Sequence, residues 1–196
     1  VEYEGTHFFG WQRQSTVNSI QEEIENSISK ITQTNIKIHG AGRTDAGVHA
    51  LGQIFHFDTD IVRPIKSLIK GTNSFLPDSI RIKWIKRVPD NFHARFLATG
   101  REYQYLLNNA SINSSIWSNH CGWTFYDLNP TLLKKASKKF EGCHDFTAFR
   151  SSECQAKSPI RSIENIKVEK FKNYYLFTIN GDGFLHHQIR NMIATI

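Results

Sequence analysis

The residues with the clearest chemical potential lie in the stretch Gly42-Arg43-Thr44-Asp45-Ala46-Gly47-Val48-His49-Ala50. Asp45 is the only acid between Glu25 and Asp58, and an arginine stands two residues before it. Glycines at 42 and 47 permit a tight turn and a close approach by another backbone or a ligand. Taken alone, an aspartate between glycines is an ordinary turn residue that bonds its own backbone. In this company it is also a candidate carboxylate for nucleophilic or electrostatic catalysis, with Arg43 a candidate cation beside it.

Further blocks surround this one. Tyr3-Glu4-Gly5 and Phe9-Gly10-Trp11-Gln12-Arg13-Gln14 precede it; Gly52-Gln53 and His56-Phe57 follow. Beyond them come Phe92-His93-Ala94-Arg95-Phe96, Ala98-Thr99 and Tyr103-Gln104-Tyr105. The last two blocks are Asp145-Phe146-Thr147-Ala148-Phe149-Arg150 and Phe184-Leu185-His186-His187-Gln188-Ile189-Arg190-Asn191. In this order, and over nearly the whole chain, the blocks resemble the TruA family of tRNA pseudouridine synthases. Ala46 and His49 are similar to its bacterial type. The resemblance implies that Asp45 is the catalytic carboxylate and that Tyr103 stacks on the uracil and handles a proton. It also implies that Arg190 pairs with Asp45, at an ion-pair distance of about 4 Å, in a cleft between two halves. The substrates it implies are uridines on the 3′ side of the tRNA anticodon stem-loop (positions 38, 39 and 40), and the active form a homodimer.

The chemistry is an isomerisation. The glycosidic bond of uridine breaks, the uracil turns over, and its C5 bonds to the ribose as the C5 proton leaves. Nothing is oxidised and no group enters, so no cofactor is needed. An ionised carboxylate is needed at the sugar, either as nucleophile or as base and electrostatic stabiliser. Burial penalises the charged form of a carboxylate and a nearby cation favours it, which gives Arg43 and Arg190 their interest. The target nucleotide has to be extruded into the pocket. RNA contact calls for cations and for planar groups that stack on bases. Trp11, Arg13, Gln14, His49 and Arg95 are the substrate-binding candidates, although Phe9 and Trp11 fit the core equally well. Glu102, just before Tyr103, stands where a basic residue is expected from the resemblance. Two other readings stay open: a non-catalytic RNA-binding module on the same fold, and a synthase for another tRNA position.

The bulk composition agrees with a polyanionic partner without requiring one. The chain of 196 residues carries a net charge of +6 and a pI near 9.3, with 39% apolar and 21% charged residues. It has no run of about 18 apolar residues and no signal-peptide pattern. Cys121, Cys143 and Cys154 form neither a disulfide framework nor a CxxC zinc site, which points to the cytoplasm. Cys143-His144 and His186-His187 lack a metal-ligand spacing, so no metal is expected.

The elements that would position these residues read as α+β. Val1-Glu2-Tyr3 reads as a strand, and Ser19-Ile20-Gln21-Glu22 has the spacing of a capping box. Ile20, Ile24, Ile28 and Ile31 follow at helical intervals. Strands are expected over Asn35–His39 and Gln53–Asp58. A helix capped by Asp60 is expected from about Ile61 to Lys70, then a half-buried strand on Ile80, Ile82 and Trp84. This is the β-α-β-β-α-β order of ferredoxin-like or RNA-recognition-motif folds. From residue 99 the order repeats: a strand from Arg101 to Asn108, an irregular insertion over 110–129, and a helix from Pro130 with an apolar stripe of Leu132, Leu133, Ala136 and Phe140. Strands over Ile163–Lys170 and Tyr174–Asn180 follow, then a helix bearing Leu185, Gln188, Ile189, Met192, Ile193 and Ile196. We expect two ferredoxin-like halves, 1–98 and 99–196, sharing a continuous, mainly antiparallel sheet with helices on one side. On this count the second half lacks its closing strand and Val1 starts inside an apolar pattern, so continuation beyond both ends is expected.

Overall fold

The computed structural model describes residues 1–196 and divides into two compact units, Val1–Ala98 and Thr99–Ile196. The first follows the order β1 (Glu2–Tyr3), α1 (Ile20–Thr32), β2 (His39–Gly40), β3 (Phe55–His56), α2 (Ile65–Phe75) and β4 (Ile80–Arg81). Its ladders are antiparallel: β1 pairs with β4 and β2 with β3. A bridge from Tyr3 to Ala50 ties the first strand to the end of the Asp45 stretch. Regular pairing is confined to two residues per strand, shorter than the alternation suggests.

Helix α1 starts where the capping box places it, with the Ser19 side chain accepting from the Glu22 N–H. Ile20, Ile24 and Ile28 turn into a core shared with Val1, Tyr3, Phe8, Trp11, Ile36, Ile38, Leu76, Ile80 and Ile82. Helix α2 begins four residues later than expected, at Ile65, with Pro64 rather than Asp60 at its N-cap. Proline disfavours helical geometry in the residue before it, so the helix cannot extend back through Arg63. Trp84 corrects another expectation: Ile80 and Ile82 are buried, but Trp84 is 59% exposed, beyond the end of the β4 ladder.

The second unit is built on one five-stranded sheet in the order β6-β5-β9-β8-β7. Its strands are β5 (Arg101–Asn109), β6 (Gly122–Thr124), β7 (Gly142–Asp145), β8 (Ile160–Phe171) and β9 (Tyr174–Gly181). All pairs are antiparallel except β5 with β6. Along β9, Tyr175, Phe177 and Ile179 are fully buried at every second position, the period of a sheet with one covered face. Helices α3 (Pro130–Ser137) and α4 (Gln188–Thr195) supply Leu133, Met192 and Ile193 to the same core. Asn129 caps α3 by accepting from the Thr131 and Leu132 N–H groups. Leu132, expected in the apolar stripe, is instead 62% exposed, and Leu133 takes the buried position. The expected irregular insertion contains β6, and β7 was not anticipated at all. No helix is long and apolar enough to cross a membrane.

Candidate active site

In the first unit Asp45 sits half-buried in a turn closed by the Val48 N–H donating to the Asp45 carbonyl at 3.2 Å. Gly47 within that turn takes φ of +76°, a conformation that disfavours a side chain. The preceding residue is held twice. Thr44 Oγ1 lies 2.8 Å from the Tyr3 hydroxyl, and the Thr44 carbonyl accepts from the Trp11 N–H at 3.0 Å. The Gly47 N–H donates to the Phe8 carbonyl at 3.2 Å. At the start of the loop, Gln53 Nε2 donates to the Gly42 carbonyl at 2.8 Å. The 8–11 segment therefore serves as a brace for the Asp45 turn. It is itself anchored to α1, since the Gly10 and Trp11 carbonyls accept from the Ile20 and Gln21 N–H groups.

Trp11 is a correction to the substrate-binding expectation. It is 2% exposed, with its ring centroid 6.0 Å from Tyr3 and 6.2 Å from Phe55. A Cβ on Gly40 would stand 2.8 Å from the indole, so the ring is walled in and has no face for a base. Phe9 on the same loop is 58% exposed. Gln14 is exposed, and its side-chain amide donates to the Phe9 carbonyl at 3.2 Å.

Arg13 also differs from the expected phosphate contact. Its guanidinium sits 3.0 Å from Glu25 and 3.2 Å from Glu22, two carboxylates of α1. His49 accepts from the Gly5 N–H through Nδ1 at 3.0 Å, with Glu4 Oε1 3.3 Å from the same nitrogen. It thereby pins the end of the Asp45 loop to the chain after β1. Arg43 is exposed on the loop itself, and Arg95 is exposed with its guanidinium 5.9 Å from the Phe96 ring.

In the second unit, Tyr103 stands opposite Ile179 and Tyr105 opposite Phe177 in the β5–β9 pair. Directly opposed residues share a face, so both tyrosines lie on the side that carries the core. Tyr103 is half-buried and meets Phe184 edge-on, 5.1 Å between centroids. Arg190 is an exposed residue of α4 whose charge reaches Tyr105. Burial pushes the Tyr105 hydroxyl up from its ordinary value, and the Arg190 guanidinium holds it back.

Tyr3 and Thr44 belong to the blocks read from the sequence, but neither was singled out there. A tyrosine in a strand whose hydroxyl is buried has to find a polar partner; that partner is only visible once the fold brings residue 44 to residue 3.

A model of the tRNA pseudouridine synthase family matches residues 1–97 and 136–196. The chain is 42% identical over its whole length to tRNA pseudouridine synthase A of Pseudoalteromonas atlantica, covering 74% of that protein. It is 44% identical to that of Francisella philomiragia, covering 76%, and 40% identical to that of Nitrosomonas eutropha, covering 71%.

Proposed function

Because the chain belongs to the tRNA pseudouridine synthase family and isomerises uridine to pseudouridine in tRNA, we propose that Asp45 supplies the carboxylate this reaction requires. The supporting observation is the half-buried aspartate on a turn whose two ends and middle are all hydrogen-bonded to the 1–11 segment. A braced carboxylate loses little orientation when the sugar is presented to it, which is the condition for efficient attack or electrostatic stabilisation. The C1′–N1 bond breaks and the C1′–C5 bond forms. The C5 proton departs and N1 ends protonated, so atoms and electrons balance within one nucleotide and no cofactor enters.

Tyr103 offers its ring to the detached uracil and its phenol to the departing proton. Arg43, on the same loop, is a cation that favours an ionised Asp45, and Arg190 is the candidate cation of the second unit. On the RNA side, Phe9 replaces Trp11 as the exposed ring available for stacking, and Gln14, Arg43 and Arg95 are exposed polar groups beside it in role. The substrates are uridines on the 3′ side of the anticodon stem-loop, and the enzyme works in the cytoplasm as a homodimer.

The test uses unmodified tRNA transcripts incubated with the protein, followed by mapping of pseudouridine. Modification confined to the 3′ side of the anticodon stem-loop is expected. Asp45→Asn keeps the shape of the side chain and removes its charge; it should abolish modification while tRNA affinity stays within a few-fold. Substantial turnover by the Asn variant would remove Asp45 from the chemistry, and modification elsewhere in the tRNA would revise the substrate.

A further inference from the structure

Tyr3 holds both ends of the Asp45 turn. Its main chain makes a reciprocal pair of hydrogen bonds with Ala50, Tyr3 N–H to Ala50 carbonyl at 2.9 Å and Ala50 N–H to Tyr3 carbonyl at 3.0 Å. Its side chain crosses to the other end, where the hydroxyl meets Thr44 Oγ1 at 2.8 Å. The residue is 3% exposed, its ring is packed against Trp11, and its strand is pinned by β4. The hydroxyl is thus delivered by a rigid stem to the residue directly before Asp45.

We propose that Tyr3 is a positioning residue for Asp45, acting through the Thr44 hydroxyl. The proposal rests on the reading of Asp45 as the reacting carboxylate. The reasoning is geometric. Between Thr44 and Ala50 the chain makes one turn, with a positive φ at Gly47 and its polypeptide N–H groups at 47 and 48 already used. Rotation of the main chain at the 44–45 linkage is one motion that would swing the carboxylate. The Trp11 N–H fixes the Thr44 carbonyl, and the Tyr3 hydroxyl fixes its side chain. A residue held at both its carbonyl and its side chain has little freedom to rotate. Loss of the hydroxyl contact frees one of those holds without emptying the core, because the ring remains.

Tyr3→Phe and Thr44→Val remove the contact from either side, and Thr44→Ser keeps it. Misplacement by about 1 Å can cost on the order of 100-fold in rate, so each disrupting variant should lower kcat roughly ten- to hundred-fold. KM for tRNA should stay within about two-fold, as binding is not what the contact serves. The double variant should be no slower than the slower single, since both remove one interaction, and Thr44→Ser should restore most of kcat. Hydrogen exchange read at the amides of residues 45–49 gives a measure independent of activity: it should accelerate in Tyr3→Phe and Thr44→Val while exchange in α1 stays unchanged.

Unchanged kcat in both disrupting variants, multiplicative losses in the double variant, or unchanged loop exchange would each overturn the proposal. A wild-type chain that binds tRNA yet forms no pseudouridine would overturn the functional reading instead, and the exchange measurement would still decide whether Tyr3 holds the turn. Should Tyr3→Phe fail to fold, Thr44→Val carries the same test from the less buried side of the contact.

Discussion

Arg13 Nη1 lies 3.0 Å from Glu25 Oε2, and Glu25 is 4% exposed. The same carboxylate accepts from the Ile38 N–H at 3.1 Å and from Gln21 Nε2 at 3.0 Å through its other oxygen. A buried carboxylate persists only where donors satisfy it. Arg13 is therefore part of the joint between the 8–14 loop, α1 and the strand leading to the Asp45 stretch. A phosphate would have to compete with two carboxylates, Glu25 and Glu22, for that guanidinium.

Arg13→Ala should accordingly leave the salt dependence of tRNA affinity unchanged. A residue that neutralised a phosphate would flatten the log–log slope by about one. The variant should instead lose stability. Breaking a fully buried pair costs about 3–5 kcal/mol; Arg13 is half-exposed, so roughly 2 kcal/mol is expected from denaturant unfolding. A flattened salt slope with unchanged stability would return Arg13 to the RNA interface.

His56 gives the first unit an acid sensitivity. Its ring centroid lies 4.6 Å from that of His93 and 5.1 Å from that of His39. Its Nδ1 accepts from the Ala94 N–H at 3.2 Å, and His93 Nδ1 accepts from the Arg95 N–H at 3.2 Å. Burial first, then the neighbouring His93 and His39, lower the His56 pKa below the ordinary 6.5; Asp58 works against them. With the folded value below the unfolded one, the unfolded chain takes up the proton first as pH falls. Stability is thus complete above about pH 6.5 and declines as the pH drops from there toward the folded value. Melting temperature should fall below pH 6.5 in the wild type, and less steeply in His56→Phe. Equal slopes in the two proteins would show that this imidazole does not set the trend.

How far all this could be read from the sequence depends on how local each signal is. The α1 cap was legible because Ser19 and Glu22 are three residues apart, and the isoleucine period carries its own geometry. The Asp45 turn was legible as a block of residue types. Trp11 was not, because an aromatic in a glycine-bounded loop has no period that separates core from surface. The pairing of Arg13 with Glu22 and Glu25 was not legible, because they lie nine and twelve residues on, on an element whose facing is set by packing. Strand β7 is exposed at all four positions, so it has no apolar alternation to betray it. The His39, His56 and His93 cluster joins residues far apart in the chain and leaves no trace in spacing.

Two glycines near Asp45 should respond differently to alanine. Gly10 has φ of +89°, and a Cβ there would stand 2.6 Å from the Thr44 carbonyl oxygen. Gly47 has φ of +76° with nothing within 4 Å of its Cβ position. Left-handed backbone costs an alanine about 1–2 kcal/mol. Gly47→Ala should lose about that much stability. Gly10→Ala adds a clash with main chain that cannot swing away, so its loss should be larger, and turnover should fall with it because the clash lands next to Asp45. Thermal unfolding and pseudouridine formation measured side by side would check both; equal stability losses would show that the 8–11 segment yields more than its hydrogen bonds suggest.

Arg190 allows charge and shape to be separated. Its guanidinium opposes the upward pull of burial on Tyr105, a residue two along β5 from Tyr103. Removing the charge should let the Tyr105 hydroxyl titrate still higher, so Arg190→Gln should move its ionisation to more alkaline pH. Arg190→Lys keeps a positive charge on that side chain and should leave the ionisation close to wild type. Turnover should respond to something else. A guanidinium presents a planar fork that matches a carboxylate in two places, whereas an ammonium is a point charge. If Arg190 serves the reaction through that fork, Arg190→Lys and Arg190→Gln should both lose most of kcat, although only the second shifts Tyr105. NMR of 13C-labelled tyrosine would follow the titration, and pseudouridine formation the turnover. Retention of full turnover in Arg190→Lys would show that charge alone suffices at this position.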